Sequence, residues 1–234
     1  MIEAISSTPT LPSTSDVLSA HVPEVAKPFI LLVDHEDSFV HTLADYLRQT
    51  GSDVATCRCG QPLTDYFEKF VDTKQRVPDL VVLSPGPGNP SDFKLSDTIG
   101  MLISRKIPIF GVCLGLQGLV EYFGGKLNIL PAPMHGKASV IRRTGDDSHP
   151  HDILRGLPEE FQVGRYHSLY GDSSALKALK VTAKSADGVI MSVCHESLPI
   201  AAVQFHPESI LTLPRTGMRI LSNAVELLQA KNYS

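Results

Sequence analysis

After residue 28 the chain alternates between short runs that are apolar on both faces and stretches whose apolar residues recur every three or four positions. Residues 29–33 (FILLV), 80–83 (LVVL) and 107–112 (IPIFGV) are the strongest runs, with a weaker one at 54–57. Continuous apolar character over four to six residues belongs to parallel strands covered on both sides by helices. Between these strands, Phe39, Leu43 and Leu47 recur every four residues behind Ser38, a candidate helix cap. Leu63, Tyr66, Phe67 and Phe70 repeat at helical spacing, as do apolar residues across 116–123. Beyond residue 126 the runs shorten, predicting strands at 139–143, 161–165, 181–185, 189–194 and 201–205 and a closing helix at 218–229. The pattern predicts an α/β fold: an open, mostly parallel sheet flanked by helices, with additional shorter strands in the C-terminal half.

Residues 1–27 break this pattern. They are rich in Ser, Thr and Pro, carry no Lys or Arg before Lys27, and hold acids at Glu3, Asp16 and Glu24, so they read as a disordered tail or linker ahead of one domain over 28–234. A secretory signal needs a basic start and an apolar stretch, and a mitochondrial presequence needs arginines; neither is present there. No apolar run reaches the roughly 18–20 residues of a membrane span. With 21 basic and 25 acidic residues the net charge is −4, which excludes nucleic-acid binding through bulk positive charge. Cys57, Cys59, Cys113 and Cys194 form neither a disulfide framework nor a zinc-ligand set. The expectation is a soluble, cytoplasmic protein with no bound metal.

Open α/β sheets bind ligands at the carboxyl ends of their strands, and three segments there carry chemistry. Gly111-Val-Cys113-Leu-Gly115 follows the 107–112 strand and precedes a helix. It has the outline of a nucleophile elbow, in which small residues flank a strained, projecting nucleophile, and a helix N-terminus favours a thiolate. An ordinary strand-to-helix turn around a buried cysteine would look the same. Gln204-Phe-His206-Pro-Glu208 ends the last strand; alternate residues share a side, so His206 and Glu208 suit a base and its orienting carboxylate, or a satisfied histidine beside a solvated glutamate. Ser84-Pro-Gly86-Pro-Gly88 is either a rigid turn or a stiff loop whose amide, with that of Leu114, forms an oxyanion hole.

Other polar residues read more plainly. His149 and His151 lie in a polar loop whose i, i+2 spacing offers a weaker metal reading, His41 on a helix surface, and Cys57 and Cys59 on one strand face as two reduced thiols.

Six segments in order, VDHEDSF (33–39), LSPGPGNP (83–90), IFGVCLGLQGL (109–119), MHGK (134–137), GRYHSLY (164–170) and AVQFHPES (202–209), resemble the class I, triad-type glutamine amidotransferases. Within them the chain is most similar to the amidotransferase component of anthranilate synthase, with that of aminodeoxychorismate synthase a near relative. The resemblance implies a flavodoxin-like core, Cys113 as nucleophile, His206 as general base and acid, and Glu208 as its orienting partner. It implies Gly86 and Leu114 as oxyanion donors, and Gly86, Pro87, Gly88, Gln117, Ser168 and Leu169 as the glutamine site. The implied reaction is hydrolysis of L-glutamine to glutamate, with ammonia passed to the large subunit of a chorismate-aminating synthase. No cofactor is implied in this chain, and Mg²⁺ is expected on that partner. His135, Lys137, Arg165 and His167 are expected to couple partner occupancy to the glutamine site.

The chain departs from many relatives at His35-Glu36, where Asn-Tyr is common, and at Leu116, where histidine is common. Neither is a triad position. Two readings from other classes stand beside this one: a self-sufficient Cys-His-Glu γ-glutamyl hydrolase, and a catalytically idle protein that contributes only to assembly. A role with a nucleotide-linked synthetase is less consistent with the SPGPG and RYHSL forms and the lack of a P-loop.

Overall fold

The computed structural model describes residues 26–58, 63–145, 147–172, 174, 176–212 and 214–229. The expected tail up to residue 25, and Cys59 of the expected thiol pair, lie outside the described residues. Five α-helices and eleven strands are described. The first half runs β1 (Phe29–Asp34), α1 (Val40–Gln49), β2 (Asp53–Arg58), α2 (Phe67–Lys74), β3 (Leu80–Leu83), α3 (Leu95–Ser104), β4 (Ile109–Val112) and α4 (Leu114–Tyr122). The second half runs β5 (Lys126–Ile129), β6 (Lys137–Arg143), β7 (Glu160–Arg165), β8 (Leu169–Asp172), β9 (Leu179–Ser185), β10 (Ile190–His195), β11 (Ile200–Val203) and α5 (Pro214–Leu228).

Nine strands form one sheet in the order β2-β1-β3-β4-β11-β10-β9-β6-β7, and β5 and β8 form a separate antiparallel ribbon. The five strands from β2 to β11 are parallel, and the remaining pairings are antiparallel. Every residue of β1, β3, β4 and β11 is buried, as their unbroken apolar runs predict. Alternation along β1 builds two cores. Ile30 and Leu32 pack with Leu43, Leu47, Ile220 and Leu221 of α1 and α5, while Leu31 and Val33 pack with Phe67, Ile99 and Leu119 on the opposite face. Among the described residues no helix is long and apolar enough to cross a membrane.

Two sequence expectations need correction, and a third needs refining. Ser38 does not cap α1: Phe39 precedes the helix without a side-chain cap, and Asp37 Oδ1 instead accepts the Phe39 amide at 2.8 Å. The 63–70 periodicity is split into a 3₁₀ turn (Leu63–Asp65) and α2. The segment holding His149 and His151 is a largely exposed turn as expected, but His151 itself is buried and bonds the His195 carbonyl through Nδ1 at 3.1 Å. No metal-binding cluster of His, Cys, Asp or Glu occurs among the described residues.

Candidate active site

The parallel order places β4 beside β11, with Gly111 opposite Ala202 and Val112 opposite Val203. The Cys113 amide continues the ladder by donating to the Val203 carbonyl at 2.8 Å. Two segments far apart in sequence therefore leave the sheet side by side: Cys113-Leu114 into α4, and Gln204-Phe205-His206 into a loop.

Cys113 has φ 52° and ψ −97°, a left-handed conformation costly to a residue with a β-carbon. Its neighbours explain how so sharp a turn fits. A β-carbon on Gly111 would come within 2.7 Å of the Gly115 carbonyl carbon, and one on Gly115 within 2.5 Å of the Leu83 carbonyl oxygen. Both obstacles are backbone, so only glycine fits at either position. The strain at Cys113 and its place at the head of α4 give the sharp strand-to-helix turn expected of an elbow.

His206 and Glu208 are buried together, and His206 Nδ1 lies 2.8 Å from Glu208 Oε1. Burial by itself would lower the imidazole's proton affinity. The Glu208 carboxylate and the neighbouring Cys113 outweigh it and hold the His206 pKa well above its usual value. The other ring nitrogen, Nε2, is buried without a hydrogen-bond partner. The ring packs against Phe39 and Tyr166, which also pack against each other, so that the three ring centroids form a triangle 4.9 Å on each side. The loop behind it is tied down by Thr212, whose Oγ1 donates to the His206 carbonyl at 2.6 Å and accepts the Gly164 amide at 3.0 Å.

A cavity of about 190 Å³ opens over Cys113, lined among others by Gly86, Pro87, Gly88, Gln117, Ser168 and Leu169. All the residues expected to hold glutamine thus border one cleft with the expected nucleophile. Gly86 lies directly against Leu114, the other expected oxyanion donor.

The family model described as "Glutamine amidotransferase class-I" matches residues 31–227. The chain belongs to the class I glutamine amidotransferases. It is 53% identical over 203 residues to "Anthranilate synthase" of Azospirillum brasilense, covering 86% of this chain and 26% of that protein, so it spans about a quarter of that relative's length. It is 40% identical to "Anthranilate synthase component 2" of Methanocaldococcus jannaschii, covering 84% of this chain and 96% of that one. A crystal structure of a Thermoplasma acidophilum protein assigned to GMP synthase superposes with a TM-score of 0.72 at 25% identity, covering 90% of this chain and 97% of the other.

The amidotransferase site is supported by residues behind its walls. His35, just past the end of β1, donates its backbone amide to the Ser84 hydroxyl oxygen at 2.9 Å, with its ring Nδ1 3.2 Å from the Ser84 carbonyl. A β-carbon on Gly86 would lie 2.8 Å from His35 Cβ, so the residue that departs from the family pattern packs against the SPGPG loop. Burial pushes the His35 pKa down to about 4, with Ser84 and Asp34 offsetting part of the drop.

The four residues expected to couple a partner to the amidotransferase site fall in different places. His135 and His167 line the cavity. Arg165 is completely buried behind it, donating from Nε to His167 Nε2 at 3.1 Å and pairing with Asp187 at 3.2 Å. Lys137 is exposed at the start of β6, opposite Arg165 in the β6–β7 register, and is not among the cavity-lining residues. Since Arg165 donates to Nε2, the neutral His167 ring carries its proton on Nδ1, which donates to the Leu169 carbonyl at 2.8 Å. Burial, with Arg165 assisting, lowers the His167 pKa to about 4.

Sequence reasoning missed two residues. Tyr166 borders the cavity and its hydroxyl lies 2.8 Å from Ser209 Oγ. Gln204 is fully buried with its Nε2 donating to Cys113 Sγ at 3.5 Å. The signal for Gln204 was its position one residue past β11, which means little until β11 is known to lie beside β4.

Proposed function

We propose that this amidotransferase hydrolyses L-glutamine and delivers the ammonia to a chorismate-aminating synthase partner, specifically as the glutaminase of an anthranilate synthase. The observation that carries the glutaminase half is the small cavity over Cys113. At about 190 Å³ it lies below the roughly 300–1,000 Å³ of pockets for larger ligands, which suits one amino acid. The similarity to anthranilate synthase component 2 supports the partner half.

In the proposed cycle, Cys113 sulfur as thiolate attacks the side-chain amide carbon of glutamine, and the carbonyl oxygen, now negative, faces the amides of Gly86 and Leu114. His206 gives its proton to the nitrogen, the carbon–nitrogen bond breaks and ammonia leaves. Water then attacks the γ-glutamyl thioester while His206 takes a proton from it, and glutamate departs with the thiolate restored. Glu208 holds the imidazole so that Nε2 faces the sulfur throughout. The amino group of Gln117 is occupied by Leu169 and Gln204, leaving its Oε1 to accept hydrogen bonds from the substrate. Ammonia in water at neutral pH is mostly protonated and not nucleophilic, which favours direct transfer to a cytoplasmic partner.

Partner occupancy is proposed to reach this site through His135, Lys137, Arg165 and His167, because Arg165 sets the His167 tautomer and His167 bonds the Leu169 carbonyl.

Glutamate release by the purified chain, measured with and without chorismate and the large subunit of an anthranilate synthase, tests the reading. Weak activity alone, strong stimulation by the partner and loss in Cys113→Ala are expected. Full activity without a partner would favour a self-sufficient hydrolase, and stimulation only by an aminodeoxychorismate synthase partner would reassign the product. Lys137→Ala should reduce stimulation more than basal turnover; equal loss of both would remove it from the coupling route.

A further inference from the structure

Gln204 has no role in the cycle above, yet the hydrogen bonds around it leave its side-chain amide one orientation. A backbone carbonyl can only accept, so Leu169 draws the amino end of Gln117 to itself at 3.0 Å. That amino group also lies 3.3 Å from the nearer end of the Gln204 amide, which must therefore accept and is Oε1. The amino end of Gln204 is thereby turned the other way, where Cys113 Sγ lies 3.5 Å off. The Leu169 carbonyl is itself held from a second side by His167, whose tautomer is set by Arg165. What aims the Gln204 N–H at the sulfur is a main-chain carbonyl two side chains away, and the aim does not depend on the protonation state of the cysteine.

From this we infer that Gln204 is a further catalytic residue: its side-chain N–H donates to the Cys113 sulfur, stabilising the thiolate and fixing its direction toward the glutamine cavity. An amide –NH₂ offers protons only. A thiol gains little from such a neighbour, whereas a thiolate gains a charge-assisted hydrogen bond, and Gln204 is wholly buried, where such a bond is strongest. Strand pairing keeps the contact in register, because the Cys113 amide is bonded to Val203, the residue before Gln204. The elbow supplies the sulfur's position, His206 the proton exchange, and Gln204 a fixed donor.

The inference rests on Cys113 being the nucleophile, and its test is separable from glutamine turnover. Iodoacetamide labelling of Cys113 in the full chain, followed as a function of pH by mass spectrometry of the Cys113 peptide, reads thiolate formation without any substrate. Gln204→Met, which removes the donor at similar volume, is expected to raise the pH midpoint of labelling by about one unit or more and to lower kcat for glutamine about ten- to a hundredfold with a smaller change in KM. Gln204→Glu, which sets a carboxylate against the sulfur, should raise the midpoint further. A folded Gln204→Met with an unchanged midpoint overturns the inference, whatever happens to turnover. In the unsubstituted protein the Gln204 side-chain amide resonance should follow Cys113 ionisation and stop doing so in Cys113→Ser; an amide that ignores that ionisation overturns the inference even if both Gln204 variants fail to fold. Shifted midpoints in a protein whose unsubstituted form does not turn over glutamine would overturn the glutaminase reading and leave the donor in place.

Discussion

Gly86 is held so tightly against Leu114 that a β-carbon at residue 86 would lie 2.5 Å from Leu114 Cδ2, with the His35 carbonyl 2.9 Å away on another side. The loop after β3 and the first residue of α4 thus pack against each other, beside the two amides proposed for the oxyanion. Gly86→Ala should displace one donor and lower glutaminase kcat about a hundredfold, in the range seen for loss of one oxyanion contact. Steady-state glutamate release, with circular dichroism to check folding, measures it. A fully active Gly86→Ala would remove this loop from the oxyanion site.

The backbone at Cys113 stores strain that only a residue without a β-carbon would release. Cys113→Gly and Cys113→Ala should both be inactive, but the glycine variant should be the more stable of the two by about 1 kcal/mol, despite glycine's greater freedom when unfolded. Paired urea titrations compare them directly. An alanine variant as stable as the glycine variant would mean that φ 52° costs nothing here.

Glu208→Gln keeps the shape of the carboxylate and removes its charge. The His206 pKa, now held up chiefly by that charge against the effect of burial, should fall, and glutamine turnover should drop by two to four orders of magnitude. Imidazole carbon chemical shifts followed against pH would show the first effect and steady-state kinetics the second. A His206 titration unchanged in Glu208→Gln would contradict the assigned pairing.

Stability should weaken on mild acidification because of His35 and His167. Both are buried and neutral, with pKa values pushed to about 4 from an ordinary 6.5. Between pH 6.5 and 4 the unfolded chain binds a proton at each ring and the folded protein does not, so unfolding free energy falls as pH falls. Each ring contributes a loss of about 3 kcal/mol by pH 4. His206 has the opposite sign: its raised pKa stabilises the folded protein below pH 6.5, and that contribution fades as pH rises through the folded value. Urea unfolding of His35→Asn from pH 7 to pH 4 should give a shallower decline than the unsubstituted protein, and an identical slope would exclude His35 as a contributor.

Much of this architecture was legible because it is written in local chemistry. The fully buried strands announce themselves as unbroken apolar runs, and Gly111 is forced by the backbone of Gly115, four residues on, although Gly115 in turn answers to the distant Leu83. What was missed depends on longer-range placement or on weak local signals. Helix α3 buries Leu95, Thr98, Ile99 and Leu102 at helical spacing, but it is short and interrupted by Gly100. β5 and β8 are only four residues each and are mostly not buried, so neither gives a clean alternation. Cys113 and His206 each carry a readable motif, while their approach, and with it the meaning of Gln204, follows only from β4 and β11 being neighbours in the sheet.

That neighbourly pairing also sets an order of events. β11 is the last strand in the sequence, yet it occupies an interior position between β4 and β10, so the sheet cannot close until it slots in. During refolding, the turn at Cys113 cannot be completed from the first half alone, because its amide bonds Val203 of β11, and His206 arrives only with this same late, long-range contact. Recovery of glutamine turnover should therefore lag behind recovery of helical signal, and a half-assembled chain should leave glutamine intact.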